Sequence, residues 1–312
     1  GIKMNNYLKN ERYFVMKIRK NLDYQTLEKF FQGVSLAKNK INYLFTHNCC
    51  YLNGELASKH SILRYNDYLM VDISNFEHLD YLPLDYNLKI LYEDDYLLIV
   101  NKPSGYIIYP DNKEKNGTMA NMIAAYYQKK QMNCTIRHCH RLDMDTTGCL
   151  IYAKDLITQS AMEQLFEENK LLKNYLAIVE GNVVKDRVIS TPIAKDRHHN
   201  SKMIVSRNGG KWAKTICKVI SHNQNFSLLK IRIESGRTHQ IRVHLSSIHH
   251  PIYGDELYGA KIKTRIMLHC YQITFVHPIL GKKIDIKAPI YNDFKEVIKK
   301  EKLTCEKRKI LL

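Results

Sequence analysis

The stretch His140-Arg141-Leu142-Asp143-Met144-Asp145-Thr146-Thr147-Gly148, followed by the apolar run Cys149-Leu150-Ile151-Tyr152-Ala153, decides how this chain is interpreted. A base, a guanidinium and two carboxylates lie next to a Thr-Thr-Gly turn and a run that predicts a buried strand. A loop with only a structural role rarely holds so many ionisable groups against a core element. Because Asp and Gly suit a tight turn, we assign Asp145 a structural role and treat Asp143 as the candidate for chemistry.

The composition is that of a globular protein with an anionic partner. The chain has 312 residues, of which 45% are apolar, and a formal net charge of +17. This length allows a large core and a second, smaller domain. No apolar run approaches the roughly 20 residues that a bilayer span needs, and no apolar leader segment stands out. We therefore expect a cytoplasmic protein that binds nucleic acid rather than a membrane.

The positive charge is concentrated between residues 195 and 218. Against the single acid Asp196, this segment holds seven cationic side chains: Lys195, Arg197, Lys202, Arg207, Lys211, Lys214 and Lys218. A solvated, lysine-rich surface explains many of the other charges in the chain. It explains this run less well, because acidic residues are not interleaved with the basic ones.

The distribution of the cysteines favours reduced thiols over a disulfide framework. Eight cysteines are scattered along a chain without a secretion signal. Cys134, His138, Cys139 and His140 suggest a zinc site, but a second ligand pair at finger or ribbon spacing does not follow them. We therefore expect neither a metal nor another cofactor.

Residues 24–74 read as a compact N-terminal unit. Residues 26–31 predict a short helix, Ser35 is a candidate N-cap for a second helix over residues 36–46, and residues 69–73 predict a strand. Asn53-Gly54 between apolar residues is typical of a tight hairpin. We expect an extension over residues 1–23, a linker over 75–87, a larger domain over 88–303 and a basic tail over 304–312.

The larger domain predicts an α+β fold with a mixed, largely antiparallel sheet. It begins with a hairpin formed by residues 89–92 and 96–100. Further strands are predicted at residues 173–180, 213–220, 226–234, 266–276 and 283–287. Helices are predicted at residues 118–130, 155–169 and 239–248, and from Asn292 onward.

Five segments in order carry a resemblance to a known family. Beside the stretch at 140–148, they are Asn101-Lys102-Pro103-Ser104-Gly105, Lys173-Asn174-Tyr175-Leu176-Ala177, Gly210-Lys211-Trp212-Ala213-Lys214 and Gly236-Arg237-Thr238-His239-Gln240-Ile241-Arg242, with His250-Pro251-Ile252-Tyr253-Gly254-Asp255 after them. Together they resemble the motifs of the RluA-type pseudouridine synthases, which isomerise uridine in folded RNA. Met144 departs from the pattern, since the family usually has arginine there, and Thr147 replaces the usual serine.

The resemblance implies three catalytic residues. Asp143 corresponds to the family's invariant aspartate, which either attacks ribose C1′ or withdraws the 2′ proton. Tyr175 corresponds to the tyrosine that stacks on the uracil. Arg242 corresponds to the basic residue that pairs with the aspartate and keeps it ionised in a water-poor pocket. On the residues alone, Asp143 could instead cap a turn, and Arg242 could lie on a helix surface.

The expected RNA contacts come from both domains. The N-terminal unit resembles the small RNA-binding module first seen in ribosomal protein S-four, which makes RNA the expected partner. The candidate contacts are Lys38, Lys40, Lys102, His140, Arg141, Lys211, Lys214 and Arg237. Arg141 would fill the gap that a flipped base leaves.

We expect a monomer that modifies large-subunit ribosomal RNA. A tRNA-directed enzyme and a non-catalytic ribosome-assembly factor are the alternatives. A glycosidase is disfavoured, because such enzymes use a pair of positioned carboxylates and this sequence offers no second positioned acid.

Overall fold

The computed structural model describes residues 13–304, and its N-terminal part is a four-stranded antiparallel sheet covered by two helices. The sheet order is β1-β4-β2-β3. The strands are β1 (Tyr13–Lys17), β2 (Cys50–Leu52), β3 (Glu55–Leu56) and β4 (Tyr68–Asp72), and the helices are α1 (Leu27–Gly33) and α2 (Lys38–Thr46).

Local signals explain most of this unit. The Thr26 hydroxyl accepts a hydrogen bond from the Lys29 amide and begins α1. Asn53 and Gly54 both have positive φ, as the two-residue hairpin between β2 and β3 requires. The prediction for Ser35 was wrong: its φ is +60°, and Ala37 is the N-cap of α2.

The N-terminal unit begins earlier than residue 24. Strand β1 pairs with β4 along its whole length, and Phe14 and Met16 are buried. These residues belong to the segment that the sequence analysis assigned to an extension over 1–23. The part of that extension before Tyr13, and the basic tail after Thr304, lie outside the described residues.

The connection at residues 75–87 is packed against the larger unit. Buried Glu77 forms a salt bridge of 3.1 Å with Arg137, and burial raises the pKa of this carboxyl to about 7 against the lowering effect of Arg137. The Asn121 amide donates to the Leu82 carbonyl, and the Leu84 amide donates to the Asn121 carbonyl. These bonds hold the segment that was expected to be a linker against the larger unit.

The larger unit is built on a ten-stranded, largely antiparallel sheet, which confirms the predicted fold class. Its main path runs β10-β13-β14-β9-β15-β8-β6-β5, while β7 pairs with β8 and β16 with β15. Only the β8–β15 pair is parallel among the described strands. The strands are β5 (Lys89–Glu93), β6 (Leu97–Lys102), β7 (Arg137–His138), β8 (Thr147–Ala153), β9 (Leu172–Glu180), β10 (Arg187–Ile189), β13 (Thr215–His222), β14 (Phe226–Ile233), β15 (Leu268–Val276) and β16 (Lys283–Lys287).

A separate two-stranded hairpin lies beside this sheet. It consists of β11 (Ile193–Lys195) and β12 (Met203–Val205), which pair antiparallel, and the Lys211 backbone also pairs with Ile193. We call residues 193–214 the basic hairpin. Its charge is evident from the sequence, but its two strands were not predicted.

Four helices complete the larger unit. They are α3 (Met119–Lys129), α4 (Leu156–Glu167), α5 (Gln240–Ser247) and α6 (Asn292–Lys300). Thr118 and Asn121 form a capping box on α3, and the Asp155 carboxylate accepts from the Thr158 amide at the start of α4. From residue 13 to residue 304, none of the helices is long and apolar enough to cross a bilayer.

Candidate active site

The Asp143 turn borders a cleft of about 680 Å³ in the larger unit. The end of α4, the start of β9 and the start of α5 form its other walls. The lining residues that matter here are Arg141, Asp143, Phe166, Lys173, Tyr175, Arg237, His239 and Arg242. Residues from three distant parts of the chain therefore meet around one carboxylate.

The Asp143 turn connects β7 to buried β8. The Thr146 amide donates to the Asp143 carbonyl at 3.0 Å, which closes the turn. Gly148, with a φ of +114°, lies directly against the backbone of Cys270 on β15, and any Cβ at this position would overlap it. This close approach brings the turn beside β15, whose Cys270 also pairs with Tyr175 on β9.

Lys102 supports the turn from below and does not face RNA. Strand β6 pairs with β8 so that Lys102 lies opposite Gly148, and the lysine is fully buried. Its ammonium donates to the carbonyls of Pro103, Met144 and Thr146 at 3.0, 2.7 and 3.0 Å. Burial lowers the pKa of Lys102 to about 7, although the nearby aspartates act in the opposite direction. The prediction that Lys102 binds RNA was therefore wrong.

A second cation holds the same turn from the other side. Arg265 donates to the Asp145 carbonyl at 3.2 Å, and Asp293 in the first turn of α6 binds its guanidinium at 2.7 and 2.9 Å. Arg265 was not predicted from the sequence, since it is 120 residues from Asp145 in the chain. Cations thus bind three consecutive carbonyls, those of residues 144–146.

Arg242 is the cation that contacts the Asp143 side chain. Its Nη1 lies 3.1 Å from Asp143 Oδ2, while its Nε and Nη2 each donate to Asp255 at 2.9 Å. Asp255 is 1% exposed, whereas the Asp143 side chain is 35% exposed to the cleft. Burial favours a lower pKa for Arg242, but Asp255 and then Asp143 raise it above its usual value. Asp255 was identified only as part of a motif, not as a partner of Arg242.

His239 is a further residue that the sequence analysis did not single out. Its backbone has a φ of +54°, which is uncommon outside glycine and often occurs at functional sites. The ring forms a 2.7 Å hydrogen bond with the Tyr258 hydroxyl and lies 4.0 Å from Asp143 Oδ1. Burial lowers the pKa of His239 despite the opposing charge of Asp143, so the ring is neutral at neutral pH.

Tyr175 lies in the cleft wall and is only 5% exposed. Burial, the neighbouring Cys270 and the charge of Asp143 together raise the pKa of Tyr175 well above its usual value. Its hydroxyl is therefore protonated at neutral pH. In this state the ring can offer an apolar surface to a base, but the phenol is a weak proton acceptor.

The remaining predicted RNA contacts are divided between cleft, hairpin and N-terminal unit. Exposed Arg141 and Arg237 lie at the cleft. Lys211 and Lys214 lie on the basic hairpin, and Lys214 is 3.6 Å from Glu234. Other side chains predicted to contact RNA, Lys38 and Lys40, lie at the start of α2 in the N-terminal unit.

His140 has a structural environment. Its Nε2 accepts a hydrogen bond from the Ile151 amide, and its ring stacks on Phe166. The side chain is nearly buried, and burial lowers the pKa of His140 well below its usual value. The predicted RNA contact of His140 was therefore wrong, because this imidazole is neutral and nearly buried. It supports the loop before Asp143 instead.

The Cys/His cluster near residue 138 has other partners. His138 Nδ1 forms a 3.0 Å hydrogen bond with the Tyr109 hydroxyl, and burial raises the pKa of the Cys139 thiol well above its usual value. Across the described residues, no group of three or more histidine, cysteine or acidic side chains is arranged to hold a metal ion.

Comparisons with known proteins identify the family of this chain. Residues 96–247 match the family model described as RNA pseudouridylate synthase. An uncharacterized RNA pseudouridine synthase of Bacillus subtilis is 37% identical over 270 residues, which cover 85% of this chain and 89% of that protein. The chain belongs to the RNA pseudouridine synthase family. It is an RNA-modifying isomerase.

Other members of the family show the same relationship. Ribosomal large subunit pseudouridine synthase D of Neisseria meningitidis serogroup B is 34% identical over 231 residues, covering 70% of this chain and 62% of the relative. The solved structure of human RNA pseudouridylate synthase domain containing 4 superimposes with a TM-score of 0.59 at 23% identity. It covers 69% of this chain and 94% of the human chain, and supports the pseudouridine synthase fold.

Proposed function

We propose that this pseudouridine synthase acts on large-subunit ribosomal RNA and uses Asp143 as its catalytic carboxylate. The observation that carries the proposal is the 3.1 Å contact between Asp143 and Arg242 in the cleft, with buried Asp255 behind the guanidinium. The rRNA target is supported by relatives from several bacteria that are named ribosomal large subunit pseudouridine synthase D.

The reaction breaks the bond from ribose C1′ to uracil N1 and joins C1′ to C5 of the turned base. The C5 proton leaves and N1 gains a proton, so the composition of the RNA does not change. Asp143 Oδ2 is bound by Arg242, whereas Oδ1 is 4.0 Å from His239 Nε2. Oδ1 is therefore the oxygen that can approach the ribose, either to attack C1′ or to withdraw the 2′ proton.

Tyr175 and Arg141 have complementary roles in this proposal. The buried ring of Tyr175 stacks on the detached uracil, and its raised pKa favours stacking over proton removal. Exposed Arg141 fills the position that the flipped base leaves in the RNA stack. Filling that position offsets part of the few kcal/mol that unstacking costs.

Cations at the rim of the cleft and beyond it bind the RNA backbone. We assign this role to Lys211, Lys214 and Arg237 near the cleft, and to Lys38 and Lys40 on the N-terminal unit. Its two helices and its hairpin support our proposal that this unit is an S-four-like RNA-binding module. We propose that the enzyme works as a monomer in the cytoplasm. Its RNA affinity should fall steeply with increasing salt.

Asp143→Asn tests the catalytic assignment. The amide cannot act as nucleophile or base, so isomerisation should fall by at least about 100-fold, while RNA affinity stays near that of the parent protein. Tritium release from C5-labelled transcripts of 23S rRNA measures turnover, and fluorescence anisotropy measures binding. Asp145→Asn is the matched control, because the Asp145 carbonyl rather than its side chain holds the turn.

Two outcomes would contradict the proposal. Substantial turnover by Asp143→Asn would remove Asp143 from the chemistry. Tritium release from tRNA transcripts but not from 23S transcripts would reject the rRNA target and leave the catalytic assignment intact.

A further inference from the structure

The only tryptophan of the chain, Trp212, is placed in water beside the cleft. It is 48% exposed, although tryptophan is a large apolar side chain that proteins usually bury for the most part. It lies in the basic hairpin, next to Lys211 and close to Lys214. An aromatic ring among cations is the arrangement that proteins use to bind unpaired nucleotides.

The exposed position of Trp212 is built into the fold. On one side, the Lys211 amide and carbonyl both pair with the Ile193 backbone at 2.9 Å. On the other side, Ala213 is fully buried and packs in one apolar cluster with Val243 of α5. With its neighbours held in this way, the indole is presented by an anchored backbone.

Trp212 is also connected directly to the cleft. The Nε of Arg237, which lines the cleft, donates to the Trp212 carbonyl at 2.9 Å. This bond places the Trp212 backbone beside a residue of the cleft wall. The guanidinium of Arg237 is also placed to meet the RNA backbone at the same point.

The basic hairpin makes a second connection to the catalytic residues. The Met203 amide donates to the Tyr258 hydroxyl at 2.9 Å, and this hydroxyl is bonded to His239 at 2.7 Å. The Tyr258 ring also lies 5.1 Å from the Arg242 guanidinium. The hairpin that carries Trp212 is therefore held against the residues around Asp143.

We propose that the Trp212 indole is a stacking platform for an unpaired RNA base next to the target uridine, with Lys211 and Arg237 binding the flanking phosphates. The proposal rests on the proposed function, because it assigns the occupant of the cleft as RNA. The charge of the surrounding segment favours RNA over a protein surface: residues 195–218 have seven cationic side chains and one acid. Stacking suits this role, because every base has a flat face and can therefore stack on the indole whatever its identity.

Intrinsic fluorescence tests the platform without interference, because no other tryptophan is present. The experiment titrates Asp143→Asn protein, which prevents turnover, with a short single-stranded oligouridylate and with the same uridine run fully paired in a duplex. The single strand should quench the emission and saturate at the Kd measured independently by anisotropy. The duplex, whose bases are already stacked, should quench much less.

Substitutions measure the contribution of the ring. Trp212→Ala should raise the Kd for the single strand by about 5- to 150-fold, the range for losing one stacked base. Trp212→Phe should restore most of the affinity. Val188→Ala is the matched control, since Val188 is an exposed apolar residue on β10 that does not line the cleft.

The outcomes separate this proposal from the proposed function. Unquenched emission, an unchanged Kd for Trp212→Ala, or quenching by the duplex alone would overturn the platform. Quenching together with no pseudouridine formation by the parent protein, on either 23S or tRNA transcripts, would leave the platform standing and reject the catalytic proposal. Full turnover with no effect at Trp212 would do the reverse.

Discussion

Asp255→Asn is the change that most directly tests how the catalytic arginine is positioned. Asp255 is buried, does not line the cleft, and receives two hydrogen bonds of 2.9 Å from Arg242. Asparagine keeps the shape of the side chain. It replaces one accepting oxygen with an NH₂ group, so in one of the two contacts with the Arg242 guanidinium two hydrogen-bond donors face each other. The negative charge that balances the guanidinium is also lost.

The expected magnitude follows from these contacts. Breaking a buried ion pair by neutralising one partner costs about 3–5 kcal/mol, because the remaining charge is left uncompensated. Here the Asp143 contact at 3.1 Å retains part of the balance, so we expect about 3 kcal/mol of lost unfolding free energy. Without the Asp255 contacts, Arg242 no longer fixes the position of the Asp143 carboxylate. A displacement of this carboxylate by about 1 Å should lower kcat by about 100-fold.

Tritium release at saturating rRNA measures kcat, and urea unfolding measures stability. KM should change little, because Asp255 does not line the cleft. Glu256→Gln is the matched control: this neighbouring acid is exposed and forms only a surface ion pair of 3.7 Å with Lys263. It should leave both quantities unchanged. A folded Asp255→Asn enzyme with the parental kcat would refute the argument that Asp255 positions Arg242.

Two further predictions concern the support of the Asp143 turn. Lys102→Met should lower kcat strongly and cost about 3 kcal/mol of unfolding free energy, because three carbonyls lose their donor while the cost of burying the charge disappears. Lys113→Met, at an exposed lysine, should change neither kcat nor stability. If the two variants had equal effects on kcat and stability, the role assigned to Lys102 would be contradicted. His269 accepts from Thr147 and donates to Ala288, and burial lowers its pKa to about 4, from about 6.5 in the unfolded chain. Since the unfolded state binds the proton more readily, about 3 kcal/mol of stability should disappear as the pH falls through this interval. Denaturant unfolding across this pH range should show that the free energy of unfolding declines less steeply for His269→Gln than for the parent protein. An equally steep decline in both proteins would show that His269 is not responsible for the loss of stability.

The element pattern could be predicted because it depends on local periodicity. Every predicted helix and strand of the larger unit has a counterpart whose ends lie within two residues. The short strands β1, β7, β10, β11 and β12 were not predicted, because two to five residues give too little alternation to identify. The packing of β1 against the rest of its sheet is a tertiary property that local pattern does not contain.

The candidate site was predictable where a motif supplied the positions. Asp143, Tyr175 and Arg242 came from the resemblance, and the structure brings all three to one cleft. Lys102 illustrates the limit, because a lysine beside Pro and Gly is typical of an exposed loop. Only the pairing of β6 with β8 places it under three carbonyls. The contact between Arg265 and residue 145 likewise depends on strand order, which the sequence pattern does not encode.

The division of labour among these cations explains how Asp143 can be both rigid and reactive. If every cation near the turn bound the Asp143 carboxylate, its charge would be neutralised and both oxygens would be occupied. Instead, Lys102 and Arg265 bind backbone carbonyls, and only Arg242 binds the side chain, through Oδ2. The turn is therefore immobilised through its backbone, while Oδ1 stays open to the cleft. Asp255 binds Arg242 and Asp293 binds Arg265, so these two acids neutralise the arginine charges. The carboxylate that meets the ribose therefore does not have to neutralise them and keeps its own negative charge.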